Sequence, residues 1–152
     1  MNTPMTDTDP LALDQQLYFV LSVATRNVAA IYRPLLATVN LTQTQYLAML
    51  ALWQQGPLSV RGLGQVLELD SGTLSPLLKR LDAYGYVRRE RDPADERSVI
   101  VTVTAEGNAL RARAASIPSA VQDRLGMPIE EMEHLLAVLA AVIAATHPAS
   151  AA

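Results

Sequence analysis

The chain has 152 residues, half of them hydrophobic, a formal charge of −3 and no cysteine. That length suits one domain with a proper core, or a small domain with added helices, and the apolar content excludes a disordered chain. The absence of thiols excludes disulfides, thiolate catalysis and cysteine-rich zinc sites.

Leu and Ala dominate while Phe and Trp are scarce, which favours helices over sheets. The longest apolar run, Leu135 to Ala145, falls short of the roughly 20 residues needed to span a bilayer. With no secretion signal at the start, a cytoplasmic protein without a membrane partner is expected. Seven of the twelve basic residues lie between Arg61 and Arg97, but seven acids share that window. Any nucleic-acid binding therefore has to use a few well-placed cations rather than bulk charge.

In chain order, Met1 to Thr8 is polar and reads as a frayed end. Asp9-Pro10 reads as a cap and first helical residue. Leu13, Leu17, Val20, Leu21, Ala24, Val28 and Ile31 then recur at helical spacing up to Arg33-Pro34. Thr42-Gln43-Thr44-Gln45 is a capping box for a second helix with Tyr46, Leu47, Leu50, Ala51 and Trp53, and Gly56-Pro57 stops it. Leu58 is a candidate short strand. Ser59 caps a third helix with Val60, Leu63, Val66 and Leu67 as its apolar face.

Asp70 and Ser71 open a fourth helix with Leu74, Leu77, Leu78 and Leu81 inward. Pro76 is expected to distort or delay it, and Gly85 to end it in a left-handed cap. The short joint Glu68-Leu69-Asp70 suits a helix-turn-helix. The period then changes. Tyr86 to Arg91 and Arg97 to Val103 read as strands around the turn Asp92-Pro93-Ala94-Asp95-Glu96. Thr104 caps a helix expected to reach about Leu125, Met127-Pro128 breaks it, and a last helix runs from Ile129 to Thr146. Pro148 to Ala152 forms a loose tail.

Helix, turn, helix and basic hairpin form an ordered string with a mechanical purpose. A helix fits the major groove of B-DNA and a thin hairpin reaches the narrower minor groove. Ser71, Thr73 and Ser75 offer hydroxyls to phosphates or base edges, and Lys79 and Arg80 follow about one turn later. Arg88, Arg89 and Arg91 flank the hairpin. Asp95 and Arg97 are expected to meet across its turn and hold the guanidinium extended toward a minor groove. Taken singly, the helix start is an ordinary cap and the turn pair an ordinary surface pair. Joined, they point to double-stranded DNA.

The segment Leu69 to Leu81 resembles the recognition helix of MarR-type regulators, with most similarity to the organic-hydroperoxide regulator (OhrR) branch. Arg91-Asp92-Pro93-Ala94-Asp95-Glu96-Arg97 resembles the family's Asp-x-Arg wing. Leu13-Asp14-Gln15-Gln16-Leu17, Tyr32-Arg33-Pro34-Leu35-Leu36 and Val103-Thr104-Ala105-Glu106-Gly107 are similar to the same branch. The resemblance implies a mainly helical fold with a small β-hairpin: a winged helix-turn-helix lobe at 40–103 and dimerisation helices at 10–36 and 104–146. It also implies a homodimer on a palindromic operator, repressing a nearby gene.

That branch places its peroxide-sensing cysteine after the Gln-Gln-Leu stretch, where this chain has Tyr18. Tyr32 matches one of the tyrosines placed around that thiol, but Ser22 and Gln43 replace two others. Without a thiol, sensing by cysteine oxidation is excluded. Two readings stay open. Tyr18, Ser22, Tyr32 and Gln43 line a cleft for a small apolar or phenolic effector, or Tyr18 fills the old thiol pocket of a constitutive DNA binder.

A winged-helix protein-interaction module is the alternative outside DNA binding. An enzyme is not expected, since no nucleophile–base pair or carboxylate cluster stands out. No cofactor is expected. His134 and His147 lack a second ligand at fixed spacing, so no metal site is expected. Gly62 and Gly64 form a Gly-x-Gly inside an amphipathic helix, with no strand leading in and no third glycine following, and do not read as a nucleotide loop.

Overall fold

A computed structural model describes residues 9–147. The chain divides into two compact units, Met1–Ala115 and Ser116–Ala152. The polar start and the tail read from the sequence lie outside the described residues.

The first unit begins with a turn of 3-10 helix at Leu13–Gln15 and continues into α1, Leu17–Ala37. The long helix thus starts seven residues later than Asp9-Pro10 implied. The Asp9 carboxylate accepts from Leu11 N–H at 2.9 Å and closes a local turn instead. Extended Gln16 (φ −89°, ψ 116°) separates that turn from α1. The helix also passes through Pro34 rather than ending there. Proline removes one hydrogen bond to residue i−4, here Ala30, and both residues are exposed, so water is at hand for the freed carbonyl.

Helix α2, Gln43–Gln55, carries the expected capping box: Thr42 Oγ1 accepts from Gln45 N–H, and Gln45 Oε1 accepts from Thr42 N–H. Its core face differs from the expected one. Tyr46, Ala48, Met49, Ala51 and Leu52 are buried, while Leu47 and Leu50 are exposed. The apolar residues surround the helix, so periodicity could not single out the inner face.

Strand β1, Leu58–Ser59, leads into α3, Val60–Leu67, which Ser59 caps through Gly62 N–H at 2.9 Å. The chain then turns at Glu68 in the left-handed conformation (φ 55°) and enters α4, Ser71–Ala83. Gly64 is what lets this turn close. A Cβ there would stand 2.8 Å from Leu69 O and 3.1 Å from Leu74 Cδ1. Within α3 only Leu63 of the expected apolar face is fully buried, and Val66 is exposed.

Helix α4 runs unbroken through Pro76, contrary to expectation. The proline and Gly72, four residues back, both lie on the exposed side, where the unpaired carbonyl meets solvent. Leu74, Leu77, Leu78 and Leu81 are all buried, as the spacing predicts. Gly85 (φ 81°) ends the helix in a Schellman arrangement, with Tyr86 N–H on Leu81 O and Gly85 N–H on Asp82 O.

Strands β2, Val87–Asp92, and β3, Asp95–Val103, form an antiparallel hairpin. Leu58 pairs with Val101, so the sheet has three strands in the order β1-β3-β2. Helix α5, Ala105–Ala114, follows the Thr104 cap. The expected single helix to Leu125 is broken at Ala115-Ser116. Pro118 lacks the N–H that would continue the ladder back to Ala114 and sits in the first turn of a new helix.

The second unit holds that helix, α6, Ile117–Leu125, with Ile117 and Val121 buried. Gly126 (φ 63°) closes it, and α7 spans Ile129–Thr146, the bounds expected from the sequence. No residue of α7 is buried. No helix among the described residues is long and apolar enough to cross a membrane.

Candidate nucleic-acid interface

The first turn of α4 is held by Asp70, whose Oδ1 accepts from Thr73 N–H at 2.7 Å. With its carboxylate engaged there, the polar residues beyond are left outside. Ser71, Thr73, Ser75, Lys79 and Arg80 are all exposed, on a helix whose opposite face is four buried leucines.

Seven residues make about two helical turns, so the exposed side has two flanks. Ser71, Ser75 and Asp82 share the flank toward β2. Thr73, Arg80 and Tyr84 share the other, and Lys79 lies between them with Gly72 and Pro76. The sequence reads Ser71, Thr73 and Ser75 as a polar helix start with Lys79 and Arg80 about one turn later, and the helix geometry sorts them into three rows.

Asp82 carries a contact that the sequence reading missed. Its Oδ2 accepts from Arg89 Nε at 3.0 Å and ties α4 to β2. Both side chains are about one-third exposed, so the pair is worth no more than about 1 kcal/mol. Its effect is to hold the hairpin against the helix. No local pattern signals it, because the partners lie on either side of the Gly85 turn.

On β2, Arg88 stands 3.7 Å from Glu90, two residues on and therefore on the same strand face. Both are well exposed. Arg91 Nη1 donates to Glu96 O at 3.4 Å.

The hairpin tip departs from regular pairing. Arg91 pairs with Val99, but Asp92 pairs with Asp95, so Glu96, Arg97 and Ser98 are extra residues on β3. The two aspartates shape this tip through the backbone. Asp92 Oδ1 accepts from Ala94 N–H at 2.9 Å and Asp95 Oδ1 from Arg97 N–H at 3.0 Å. The expected Asp95–Arg97 side-chain pair does not form. The carboxylate bends back onto the amide two residues on, as aspartate does in tight turns. Arg97 remains exposed on the bulged segment.

The four residues read as an effector cleft divide in two. Tyr18 is 86% exposed, and its carbonyl accepts from Ser22 Oγ at 2.7 Å. Tyr32 lies ten residues beyond Ser22 on α1, about 15 Å along the axis. Its ring packs at 6.2 Å, tilted, against buried Tyr46. Gln43, at the start of α2, has a buried Oε1 without a hydrogen-bond partner. Within α1, then, Tyr18 and Ser22 stand apart from Tyr32. Burial, and after it the neighbouring Tyr32, raises the Tyr46 phenol above its ordinary pKa of 10.0, so Tyr46 is a neutral hydroxyl near pH 7.

Among the described residues no group of three His, Asp or Glu is placed to hold a metal ion. The chain contains no cysteine, so no thiol sensor exists at position 18 or elsewhere.

Residues 41–99 match the MarR family. The HTH-type transcriptional regulator TtmR of Methylorubrum extorquens is 46% identical over 88% of this chain and 69% of its own length. The organic hydroperoxide resistance transcriptional regulator of Bacillus subtilis is 37% identical over 91% of this chain and 95% of its own. Among solved structures, reduced AbfR of Staphylococcus epidermidis bound to DNA superposes with a TM-score of 0.72 at 32% identity, covering 86% of this chain and 91% of that one. Bordetella bronchiseptica BpsR, whose DNA binding is regulated by 6-hydroxynicotinic acid, gives 0.76 at 26% identity over 84% and 98%. The relatives are regulators rather than enzymes, and with its helix-turn-helix, wing and matching motifs this chain belongs to the MarR family of DNA-binding transcriptional regulators.

Proposed function

We propose that this protein acts in the cytoplasm as a homodimeric repressor of a nearby gene, binding a palindromic operator and released by a small apolar or phenolic ligand. The observation that carries DNA readout is the division of α4. Four leucines anchor it, and every hydroxyl and cation named above faces away from the core. In this reading α4 enters the major groove, with Ser71, Thr73 and Ser75 at bases or phosphates and Lys79 on the outermost row. Arg88 contacts the backbone. Arg97 reaches the minor groove from a tip that Asp95 shapes.

Pairing of two chains is supported by apolar surface left without a partner. On α7, Leu135, Leu136, Val138 and Ile143 are exposed, and on α1 so are Leu17, Tyr18 and Val20. Ligand release is supported by the orphaned Gln43 Oε1 beside the start of α2 and by the behaviour of BpsR. In a dimer, Tyr18 and Ser22 of one subunit would complete the site of the other. A second reading, a DNA binder with no effector, is favoured by the separation of Tyr18 and Ser22 from Tyr32 within the chain.

Titration of a labelled fragment from upstream of the gene, followed by fluorescence anisotropy over a salt series, tests the proposal. The parent should bind in a salt-dependent manner, and Arg97→Ala should lose about 1–3 kcal/mol of affinity. Equal binding by Arg97→Ala at every salt concentration refutes the wing contact. Addition of phenols and aromatic acids should release the fragment. Failure of all of them to do so leaves the constitutive reading.

A further inference from the structure

The ion pair of Asp82 and Arg89 has a place in the fold that helix stability does not explain. Asp82 lies in the last turn of α4, where a carboxylate opposes the helix dipole. The pair is partly open to solvent, so its own contribution to folding is small. We propose that Asp82 is a specificity-determining residue that acts through Arg89. It fixes the wing relative to α4 and keeps that guanidinium off the DNA backbone, which raises selectivity for the operator and lowers non-specific affinity. The proposal rests on the operator-binding reading above and adds to it a residue that reads no base itself.

The geometry of the hairpin supports the positioning role. Val87 is the buried residue of β2, and the strand is exposed from Arg88 to Arg91. Alternate residues share a strand face, so Arg89 follows Val87 on the side turned to α4. The contact of Arg89 Nε with Asp82 Oδ2 at 3.0 Å therefore carries the attachment of the hairpin one step outward from the core. Beyond it the strand runs about 10 Å to Asp92 with no buried side chain. The tip that follows bears Arg97 on its bulge, so a small rotation at Arg89 is amplified at Arg97. The Arg88–Glu90 pair lies within β2 and cannot replace this anchor.

Charge placement supports the selectivity role. Asp82 shares its flank of α4 with Ser71 and Ser75, the hydroxyls proposed to meet DNA. An unpaired carboxylate there would repel phosphates. An unpaired guanidinium would attract any duplex, because a phosphate contact carries no sequence information. Paired, the two groups add no net charge to the surface. The same balance holds around them, where seven basic residues between Arg61 and Arg97 share the segment with seven acidic ones. Arg89 is thus a cation withheld from the duplex, and the acid that withholds it also sets the angle of the wing.

The test measures binding of the full-length protein to the fragment from upstream of the gene and to an unrelated duplex of equal length, by anisotropy over a salt series. Asp82→Asn, Arg89→Gln and the double variant are compared with the parent. Asp82→Asn should cut the affinity ratio of fragment to unrelated duplex about tenfold, the size of one mismatched base pair. On the unrelated duplex it should bind more tightly than the parent, with a salt slope steeper by up to about 0.9 per subunit as Arg89 gains a phosphate. Arg89→Gln should lower the same ratio without steepening the slope, and adding Asp82→Asn to it should change little more. The urea midpoint of Asp82→Asn should stay near the parent's. An acid with a merely structural role would move that midpoint and leave the ratio alone.

A fragment preference in Asp82→Asn equal to the parent's overturns this inference and leaves the operator reading standing. So does an undiminished effect of Asp82→Asn in the Arg89→Gln background, which means that the acid acts without the arginine. A slope lowered by Arg89→Gln alone places that arginine on the backbone of the duplex in the parent and overturns the withholding role. A parent with no preference for the fragment overturns the operator reading and this inference together.

Discussion

Gly107 sits where the start of α5 crosses the segment between α4 and β2. A Cβ at this position would fall 2.2 Å from Tyr86 O and 2.6 Å from Val103 Cγ1. Around it, Thr104 Oγ1 donates to Gly85 O, Thr104 N–H to Tyr86 O, and Trp53 Nε1 to Gly107 O at 3.1 Å. These contacts fix the base of the hairpin against α2 and α5. Because the obstacle is backbone rather than a flexible side chain, Gly107→Ala should destabilise the fold by about 1–3 kcal/mol, read as a lower urea midpoint. A midpoint equal to the parent's would mean the crossing relaxes freely. In the sequence Gly107 carries no signal beyond the resemblance, since its main constraint is the Tyr86 carbonyl, far earlier in the chain.

At the scale of elements, the caps were legible and the faces only partly so. Thr42, Ser59, Asp70 and Thr104 each accept from the amide three residues on, as short-range spacing implied. Leu74, Leu77, Leu78 and Leu81 also lie inward, because one side of α4 is polar and the other apolar. In α2, apolar residues occupy every side, and only neighbours on several sides select Met49 and Leu52 for the core. This contrast sets a prediction. Leu78→Ala, at a site with no exposed surface, should cost about 2–5 kcal/mol in chemical denaturation. Val66→Ala, at an exposed position of α3, should stay within about 0.5 kcal/mol. Comparable losses at the two sites would contradict the assignment of α4 as the seat of the core. The hairpin tip follows the same logic. Its turn residues were recognisable, but the role of Asp95 depended on whether carboxylate met guanidinium or amide, and the backbone amide two residues away is nearer.

At the scale of the whole molecule, α7 has no buried residue and leaves Leu135, Leu136, Val138 and Ile143 exposed. In the proposed homodimer that surface would be covered by the partner. Leu136, 58% exposed, is a suitable probe. Leu136→Asp should leave each subunit folded but remove about 1.5–3 kcal/mol of association free energy per subunit, seen as dissociation in sedimentation velocity. A parent that sediments as a monomer at every concentration would remove the basis for operator symmetry. Local chemistry alone determined the helices, their caps, the turn between α3 and α4 and the absence of a thiol, because these depend on residues within a turn or two of one another. Folding decided which face of α2 is inside, that Asp82 holds Arg89 across the Gly85 turn, and that Arg80 opens onto a groove with Gln45. Each of these depends on groups distant along the chain, and spacing carries no information about a partner that only packing brings near.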